Sequence, residues 1–187
     1  MEKKPLYTIG HGNRKPEELL LLLKDFGIEY VIDVRSQPYS KFNPHFNQNS
    51  LKFFLERNDV KYVFMGDSIG GRPDSSKHFN CYNEQGMIDY EVLKSEQFFL
   101  NGIDRLKMAY NKDINVVIMC SESKPCECHR SKLIGRVLNN DKIILKHIDE
   151  NGKLKDQNIV ILELNKGKSD INLFDETDNT TSRKSYL

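Results

Sequence analysis

Short apolar runs alternate with amphipathic stretches along most of the chain. The runs at 6–9, 30–34, 61–64, 116–120 and 142–148 are bounded by residues that favour turns, a pattern that predicts buried strands. The run at 116–120 is the most apolar of the five, and it ends at Cys120, Ser121 and Glu122. Reactive side chains therefore follow directly on a predicted core strand.

Apolar residues at helical spacing predict helices between these strands. The predicted helices cover 16–26, 49–57, 89–110 and 131–138, with Asn13 as a candidate cap of the first and Asp89 as a candidate cap of the third. Residues 157–164 fit a short helix or an edge strand, and 66–89 form a loop long enough to be a functional lid or an insertion.

The alternation of strand and helix predicts the fold class. We expect a single α/β domain over 1–165, with a mostly parallel, Rossmann-like sheet covered by helices on both faces. From about residue 166 onward the chain is rich in Asp, Asn, Ser and Thr, a composition that predicts a mobile C-terminal tail over 166–187.

Charge and composition narrow the function classes. The chain has 28 lysines and arginines and 27 acidic residues, so no overall positive charge favours binding to nucleic acid or anionic membranes. The chain starts without an apolar signal region and contains no apolar run long enough to span a bilayer. Three of the four cysteines lie within nine positions, which favours chemistry or metal binding over a disulfide scaffold. We expect a reduced, cytoplasmic protein with no membrane partner.

Polar residues follow several predicted strands. Because parallel strands end at one edge of a sheet, where open α/β folds bind ligands, these residues are expected to share a cleft. They are His11, Arg35, the loop residue Arg72, Cys120, Glu122 and His147.

Cys120 and Glu122 are the candidate catalytic pair. Cys120 is either a nucleophile, with a thiolate favoured by nearby arginines and a helix N-terminus, or a small buried core residue. Glu122 is a general acid or base, a nucleophile toward an anomeric carbon, or a partner in a structural ion pair with Arg130 or Arg35. His11 and His129 are candidates for proton transfer.

Three arginines predict an anion site. Arg35, Arg72 and Arg130 would converge on the sheet edge, where forked guanidinium donors suit a phosphate or carboxylate. His147 completes the predicted substrate-binding set, with a satisfied structural histidine as the alternative.

Metal binding is a further option for the thiols. Cys120, Cys126 and Cys128, with His129, offer donors that zinc accepts, but the spacing lacks a paired C-x-x-C, and the side chains of the neighbours Cys128 and His129 are expected to diverge. We therefore expect no cofactor, with zinc as the alternative. Regulatory disulfides among these cysteines are a third possibility. No G-x-x-x-x-G-K-[ST] loop, G-x-G-x-x-G fingerprint or phosphatase spacing of cysteine and arginine is present.

Several of these segments together resemble one family. The segments 7–11, 33–35 with Pro38, 70–73, Cys120-x-Glu122, Cys128-His129-Arg130 and 147–148 are similar to domain-of-unknown-function family 488, over roughly residues 6 to 150. The resemblance implies a compact Rossmann-like domain and assigns no reaction. Gly12 stands where a serine is expected, and Cys126 is an additional thiol. A weaker similarity to rhodanese domains comes from the Asp-Val-Arg strand and the strand-end cysteine.

These observations favour an enzyme that acts on an anionic small molecule or a nucleic-acid end. In this hypothesis the anion is held by Arg35, Arg72 and Arg130. Glu122 transfers protons together with His11 or His129. Cys120 is the nucleophile or forms part of the wall of the cleft. A nucleotide- or nucleic-acid-binding module without chemistry is the first alternative, since the loop at 39–46 mixes aromatic and basic residues. A thiol-dependent, rhodanese-like protein or a zinc protein is the other.

Overall fold

The structure, a computed structural model, describes residues 3–165 and 181–187. Its strands are β1 (Leu6–Gly10), β2 (Tyr30–Asp33), β3 (Lys61–Phe64), β4 (Met87–Asp89), β5 (Val116–Cys120), β6 (Leu145–Ile148), β7 (Leu154–Asp156) and β8 (Thr181–Ser185). Its α-helices are α1 (Pro16–Asp25), α2 (Gln48–Glu56), α3 (Tyr90–Leu93), α4 (Gln97–Asn111), α5 (Arg136–Asn140) and α6 (Gln157–Leu164).

Six strands form a central sheet in the order β3-β2-β5-β1-β6-β7. The five strands from β3 to β6 are parallel, and β7 closes the edge antiparallel to β6. The register pairs Gly10 with Cys120 and Asp33 with Met119. The loops after β1, β2 and β5 therefore leave the sheet at the same level, and the mostly parallel α/β fold predicted from the sequence is confirmed.

Helices cover both faces of this sheet because the side chains of β5 alternate between two apolar cores. Val117 and Met119 pack in the core that contains Leu19 and Leu23 of α1 and Leu51 of α2. The opposite face contributes Val116, Ile118 and Cys120 to the core formed with α4 and α5. The side chain of Cys120 thus points to the same face as the segment that follows β5.

Some predicted boundaries differ from the structure. Asp89 caps a helix as predicted, accepting hydrogen bonds from the backbone N–H groups of Glu91 and Val92, but that helix ends at Leu93 and α4 begins separately at Gln97. Ser95 Oγ donates to the Glu91 carbonyl at this break, a local bond that competes with helix continuation. Lys15 rather than Asn13 precedes the first turn of α1, and residues 157–164 are helical.

The C-terminal residues differ from the predicted tail where the structure describes them. Residues 166–180 lie outside the described part. Thr181–Ser185, however, is a strand that pairs antiparallel with β4, and Ser182 Oγ accepts a hydrogen bond of 2.9 Å from the backbone N–H of Ile88. Backbone pairing of this kind needs no apolar side chains, so composition alone did not indicate it.

No helix in the described ranges is both long enough and apolar enough to span a bilayer.

Candidate functional site

The candidate site lies where β1 and β5 end side by side. The chain leaves β1 for α1 on one face of the sheet and leaves β5 for the opposite face, a topological switch point of the kind where α/β folds bind ligands. Two backbone hydrogen bonds tie the loops together, from His11 N to the Cys120 carbonyl and from Gly12 N to the Ser121 carbonyl, both 2.9 Å. A Cβ at Gly10 would lie 1.7 Å from the carbonyl oxygen of Glu122, so this close approach requires glycine.

Four side chains converge at this point and are here named the donor cluster: Cys120, Glu122, Cys128 and His129. Oε2 of Glu122 lies 2.9 Å from Sγ of Cys120 and 3.3 Å from Sγ of Cys128. Nδ1 of His129 lies 3.7 Å from each of the two sulfurs. Cys120 and Cys128 are only 3% and 1% exposed. The cluster therefore combines two buried thiols with a carboxyl group and an imidazole that are partly exposed.

Close contact changes the proton affinities within the donor cluster. The pKa of Cys120 lies well below its usual value, chiefly because of the neighbouring Cys128 thiol and also because His129 is near, effects that outweigh burial. Burial and the adjacent Cys120 sulfur raise the pKa of Cys128. Burial first, and then the same sulfur, raises the pKa of Glu122. Burial alone would lower the pKa of His129, but the Cys120 sulfur and Glu122 outweigh it and raise that pKa. The arrangement thus favours a Cys120 thiolate beside a charged His129.

A short turn after β5 positions Cys128 and His129. Pro125–Glu127 form a single 3₁₀ turn, and Ser131 Oγ donates to the Pro125 carbonyl at 2.6 Å. The chain then continues as a π-helical turn, Arg130–Gly135, and enters α5, where the sequence predicted an α-helix over 131–138. Single π turns of this kind are frequent at functional sites.

Arg130 lies beneath the donor cluster and is fully buried. Its Nη2 donates to the Ser123 carbonyl at 3.0 Å. Nε and Nη1 have no hydrogen-bond partner within the described residues. The guanidinium group of Arg130, predicted to bind an anion, is therefore enclosed in the protein and lines neither of the clefts described below.

Arg35 is held by Asp33 in a buried, bidentate ion pair. Its Nε donates to Oδ1 of Asp33 at 2.9 Å and its Nη2 to Oδ2 at 2.6 Å, while Nη2 also donates to the Phe46 carbonyl at 2.8 Å. Its Nη1 lies 3.3 Å from Nε2 of His11. Most of its donors are thus used within the protein, although the residue lines both clefts.

His11 forms part of the same wall. Its ring stacks on Phe46 with 4.3 Å between the ring centroids, and Nδ1 donates to the Gly12 carbonyl at 2.9 Å. Burial first, and then the Arg35 guanidinium, lowers the pKa of His11 to about 4. The ring is therefore neutral near pH 7, and Nε2 is free to accept from Arg35.

Two adjoining clefts open over these groups. The smaller, here the thiol cleft, has a volume of about 200 Å³; the larger, here the histidine cleft, has about 490 Å³ and contains His11. Both are lined by Arg35, Gln37, Ser121, Glu122, Glu127 and Arg183. The thiol cleft alone is lined by Cys120, His129, Arg72, Lys184 and Tyr186, among others. A separate cavity of about 500 Å³ between α3, α5 and α6 contains none of the predicted site residues.

The C-terminal strand supplies cleft residues that the sequence did not indicate. Arg183 pairs with Glu127 at 3.0 Å across the opening. The guanidinium of Arg72 lies over the ring of Tyr186, 4.8 Å from its centroid. No sequence pattern distinguished 181–187 from the polar residues before it, because its place in the fold depends on pairing with the distant strand β4.

His147 and Cys126 lie outside both clefts. His147 is buried in β6, with Nδ1 2.7 Å from Thr8 Oγ1 and Nε2 2.6 Å from Gln157 Oε1. Burial is the main reason that its pKa is lowered to about 4. This is the structural-histidine alternative weighed from the sequence. Cys126 is partly exposed and does not belong to the group of thiol and imidazole donors at Cys120, Cys128 and His129.

The structure thus brings His11, Arg35, Arg72, Cys120, Glu122 and His129 to adjoining clefts. Comparisons with curated proteins and with solved structures found no match. The family model described as domain of unknown function DUF488 matches residues 15–137, which is more than half of the chain and includes the whole donor cluster. The chain belongs to the DUF488 family.

Proposed function

We propose that this chain is an enzyme that acts on a small anionic substrate, a nucleotide or a nucleic-acid end, in the thiol cleft. The observation that carries the proposal is that three members of the donor cluster, Cys120, Glu122 and His129, line a cleft that is also lined by guanidinium groups. Proton-transfer groups next to a sulfur are the arrangement that thiol and acid–base chemistry need. Cations at the opening select the substrate by charge.

Arg72 and Arg183 are the anion-binding groups of this proposal. Arg72 is exposed and, within the described residues, forms no ion pair with a carboxylate; it rests on the ring of Tyr186. Arg183 is paired with Glu127 at the surface, and an exposed pair of this kind contributes little stability. A phosphate entering the cleft would accept from both guanidinium groups and release Glu127. The buried Arg130 would add positive potential from below without contacting the anion.

Glu122 is the proton-transfer group, assisted by His129. Its Oε2 atom is within hydrogen-bond distance of Cys120, and the carboxyl group lines both clefts. Cys120 forms the adjoining wall, and its sulfur is the nucleophile if the reaction passes through a covalent intermediate. His11 and Arg35 hold the shape of the wall, because their polar atoms are already paired with each other and with Asp33.

Calorimetric titration of the full chain with inorganic phosphate and nucleoside mono- and diphosphates tests the proposal. Removing a charge-assisted contact costs about 1.5–3 kcal/mol, so Arg72→Ala should weaken binding of the preferred anion by roughly 10- to 100-fold. Arg57→Ala is the matched control, since Arg57 stacks on Phe53 of α2 and lines neither cleft. Glu122→Gln should retain the anion and lose turnover, measured by mass spectrometry of the ligand.

Failure of every anion to bind the wild-type chain would refute this function. Equal losses of anion affinity in Arg72→Ala and Arg57→Ala would also refute it, because the effect would then come from the net charge of the protein and not from a binding site.

A second candidate is a single-strand nucleic-acid-binding module without chemistry. Phe42 is 95% exposed and Tyr39 is 69% exposed, with Lys41 between them, and Tyr39 lines the histidine cleft. Exposed aromatic rings beside a cation suit base stacking and phosphate neutralisation. A salt-dependent affinity for oligonucleotides that falls in Tyr39→Ala and Phe42→Ala, and survives in Glu122→Gln, would favour this candidate.

A further inference from the structure

We infer that the donor cluster is a zinc site in which Cys120, Cys128 and His129 are the ligands and the fourth position faces Glu122 and the thiol cleft. Metal binding itself does not depend on the proposed function, whereas the use of the fourth position for catalysis rests on it.

The spacing of the three donor atoms fits one tetrahedral ion. The two sulfurs and Nδ1 of His129 all lie within 4.8 Å of one another, and each sulfur–nitrogen distance is 3.7 Å. Zinc–sulfur bonds of about 2.3 Å and zinc–nitrogen bonds of about 2.0–2.1 Å place such donors about 3.6 Å apart in a tetrahedron. Both sulfur–nitrogen distances therefore already match those of a tetrahedral zinc site.

The backbone explains why two sequence neighbours can act together. Cys128 is extended, with φ −113° and ψ 147°, and His129 begins the helical turn, with φ −60° and ψ −21°. This change of backbone conformation brings Sγ of Cys128 and Nδ1 of His129 to within 3.7 Å of each other. The divergence expected from sequence adjacency is therefore wrong.

The buried charges also balance around a divalent cation. Zn²⁺ with two thiolates and a neutral imidazole carries no net charge, which leaves the Glu122 carboxylate as the anionic side chain of the donor cluster. Arg130 is fully buried, and its described hydrogen bonds go to the Ser123 carbonyl, so it needs a counter-charge nearby. Two thiols and an imidazole form a soft donor set, which suits zinc better than magnesium or calcium.

The fourth position makes this a catalytic type of site. Two cysteines and one histidine form the ligand set of a known class of catalytic zinc centre, in which solvent or substrate completes the tetrahedron. Oε2 of Glu122 lies against both sulfurs, close to that position, where it would accept a proton from bound water. Zinc binding itself replaces the protons of both thiols, so each thiol that is protonated at the start releases one proton.

Cobalt and zinc titrations of the reduced full chain, after chelator treatment, test the inference. We expect one Co²⁺ per chain, with the near-ultraviolet thiolate charge-transfer bands and the visible bands of a tetrahedral ion, and displacement of Co²⁺ by Zn²⁺. Cys120→Ser and Cys128→Ser should each weaken metal binding by at least 100-fold. Cys126→Ser is the matched control and should leave stoichiometry and spectrum unchanged.

Wild-type protein provides a second measurement that does not depend on whether the variants fold. Zinc should slow alkylation of Cys120 and Cys128 at least tenfold, mapped by peptide mass spectrometry, and leave the alkylation of Cys126 unchanged. Less than about a tenth of an equivalent of metal bound to the wild type, or equal protection of Cys126, would overturn the inference. If the metal does not bind but Arg72→Ala still weakens anion binding, the proposed function survives alone; if the metal binds and no anion does, the zinc site stands and the proposed function fails.

Discussion

Gly71 packs directly on the imidazole ring of His129. A Cβ added at Gly71 would lie 2.6 Å from Cγ and 2.8 Å from Nδ1 of that ring, well inside contact distance. Nε2 of His129 is buried and has no hydrogen-bond partner in the described part of the chain. The orientation of the ring is therefore set by packing against this glycine and by the two sulfurs near Nδ1.

Gly71→Ala should displace His129 and disrupt the donor cluster. The added methyl group has no free space, so we expect a loss of about 1–3 kcal/mol in unfolding free energy and a loss of metal and anion binding. Urea unfolding and the cobalt titration measure the two effects.

A double-mutant cycle identifies the cause. Because His129→Ala removes the ring that the new methyl group meets, the destabilisation by Gly71→Ala should shrink by at least half in the His129→Ala background. Additive losses would mean that Gly71 acts through another contact.

Asp33 supplies the negative charge that compensates the buried guanidinium group of Arg35. Its carboxylate accepts from Nε and Nη2 of Arg35, and from Tyr62 Oη at 2.7 Å. Asp33→Asn removes the counter-charge and should cost about 3–5 kcal/mol, measured by chemical unfolding. Tyr62→Phe removes one hydrogen bond to the same carboxylate and should cost less, about 1.5–3 kcal/mol. A smaller loss for Asp33→Asn than for Tyr62→Phe would contradict the ion-pair role.

The sequence predicted the core strands because each of them is an apolar run. Residues 61–64 were predicted as a strand with the observed bounds of β3. Strands β4 and β7 are only three residues long, and β8 contains no apolar residue, so no local pattern could indicate them. The order of the strands in the sheet could not be predicted either, since a local pattern does not indicate which strands are neighbours.

Prediction of the site was limited in the same way, because only local sequence patterns were available. Cys120, Glu122 and His129 could be singled out because they follow a core strand and precede a helical segment. The difference between Arg130 and Arg72 could not be predicted, because the sequence does not show whether a guanidinium group is enclosed or open to a cleft. Only packing shows that Arg35 is paired with Asp33 and that Arg130 is enclosed.

The stability that the buried, neutral His147 contributes should fall as the pH drops below 7. Burial lowers the pKa of His147 to about 4 in the folded chain, whereas an unfolded histidine titrates near 6.5. The unfolded state therefore binds more protons between these values, and the stabilisation present above pH 6.5 is lost progressively toward pH 4. We expect His147 to account for a loss of about 2 kcal/mol between pH 7 and pH 5.

Urea unfolding at pH 7, 6 and 5 tests this dependence. His147→Asn should be less stable at pH 7 and should show a shallower decline toward pH 5. His45→Asn, at an exposed position, is the control and should keep the wild-type slope. An unchanged slope in His147→Asn would assign the effect to other groups.

Ser182 anchors the C-terminal strand and, through it, the cationic side of the thiol cleft. Its buried Oγ accepts from Ile88 N at 2.9 Å, at the point where the register between β4 and β8 shifts. Ser182→Ala leaves that N–H without its partner, at a cost of about 1–3 kcal/mol, which is enough to release β8 with Arg183 and Tyr186. We expect faster proteolysis and faster amide exchange at 181–187, together with weaker anion binding, while urea unfolding of the central sheet changes little. Ser185→Ala in the same strand is the matched control, because Ser185 is exposed and, among the described residues, its Oγ bonds only to the Leu187 carbonyl at 3.2 Å. If both variants exchange equally, the anchor lies elsewhere in β8; if Ser182→Ala releases the strand and anion binding is unchanged, Arg183 is not part of the binding site and Arg72 alone provides the charge.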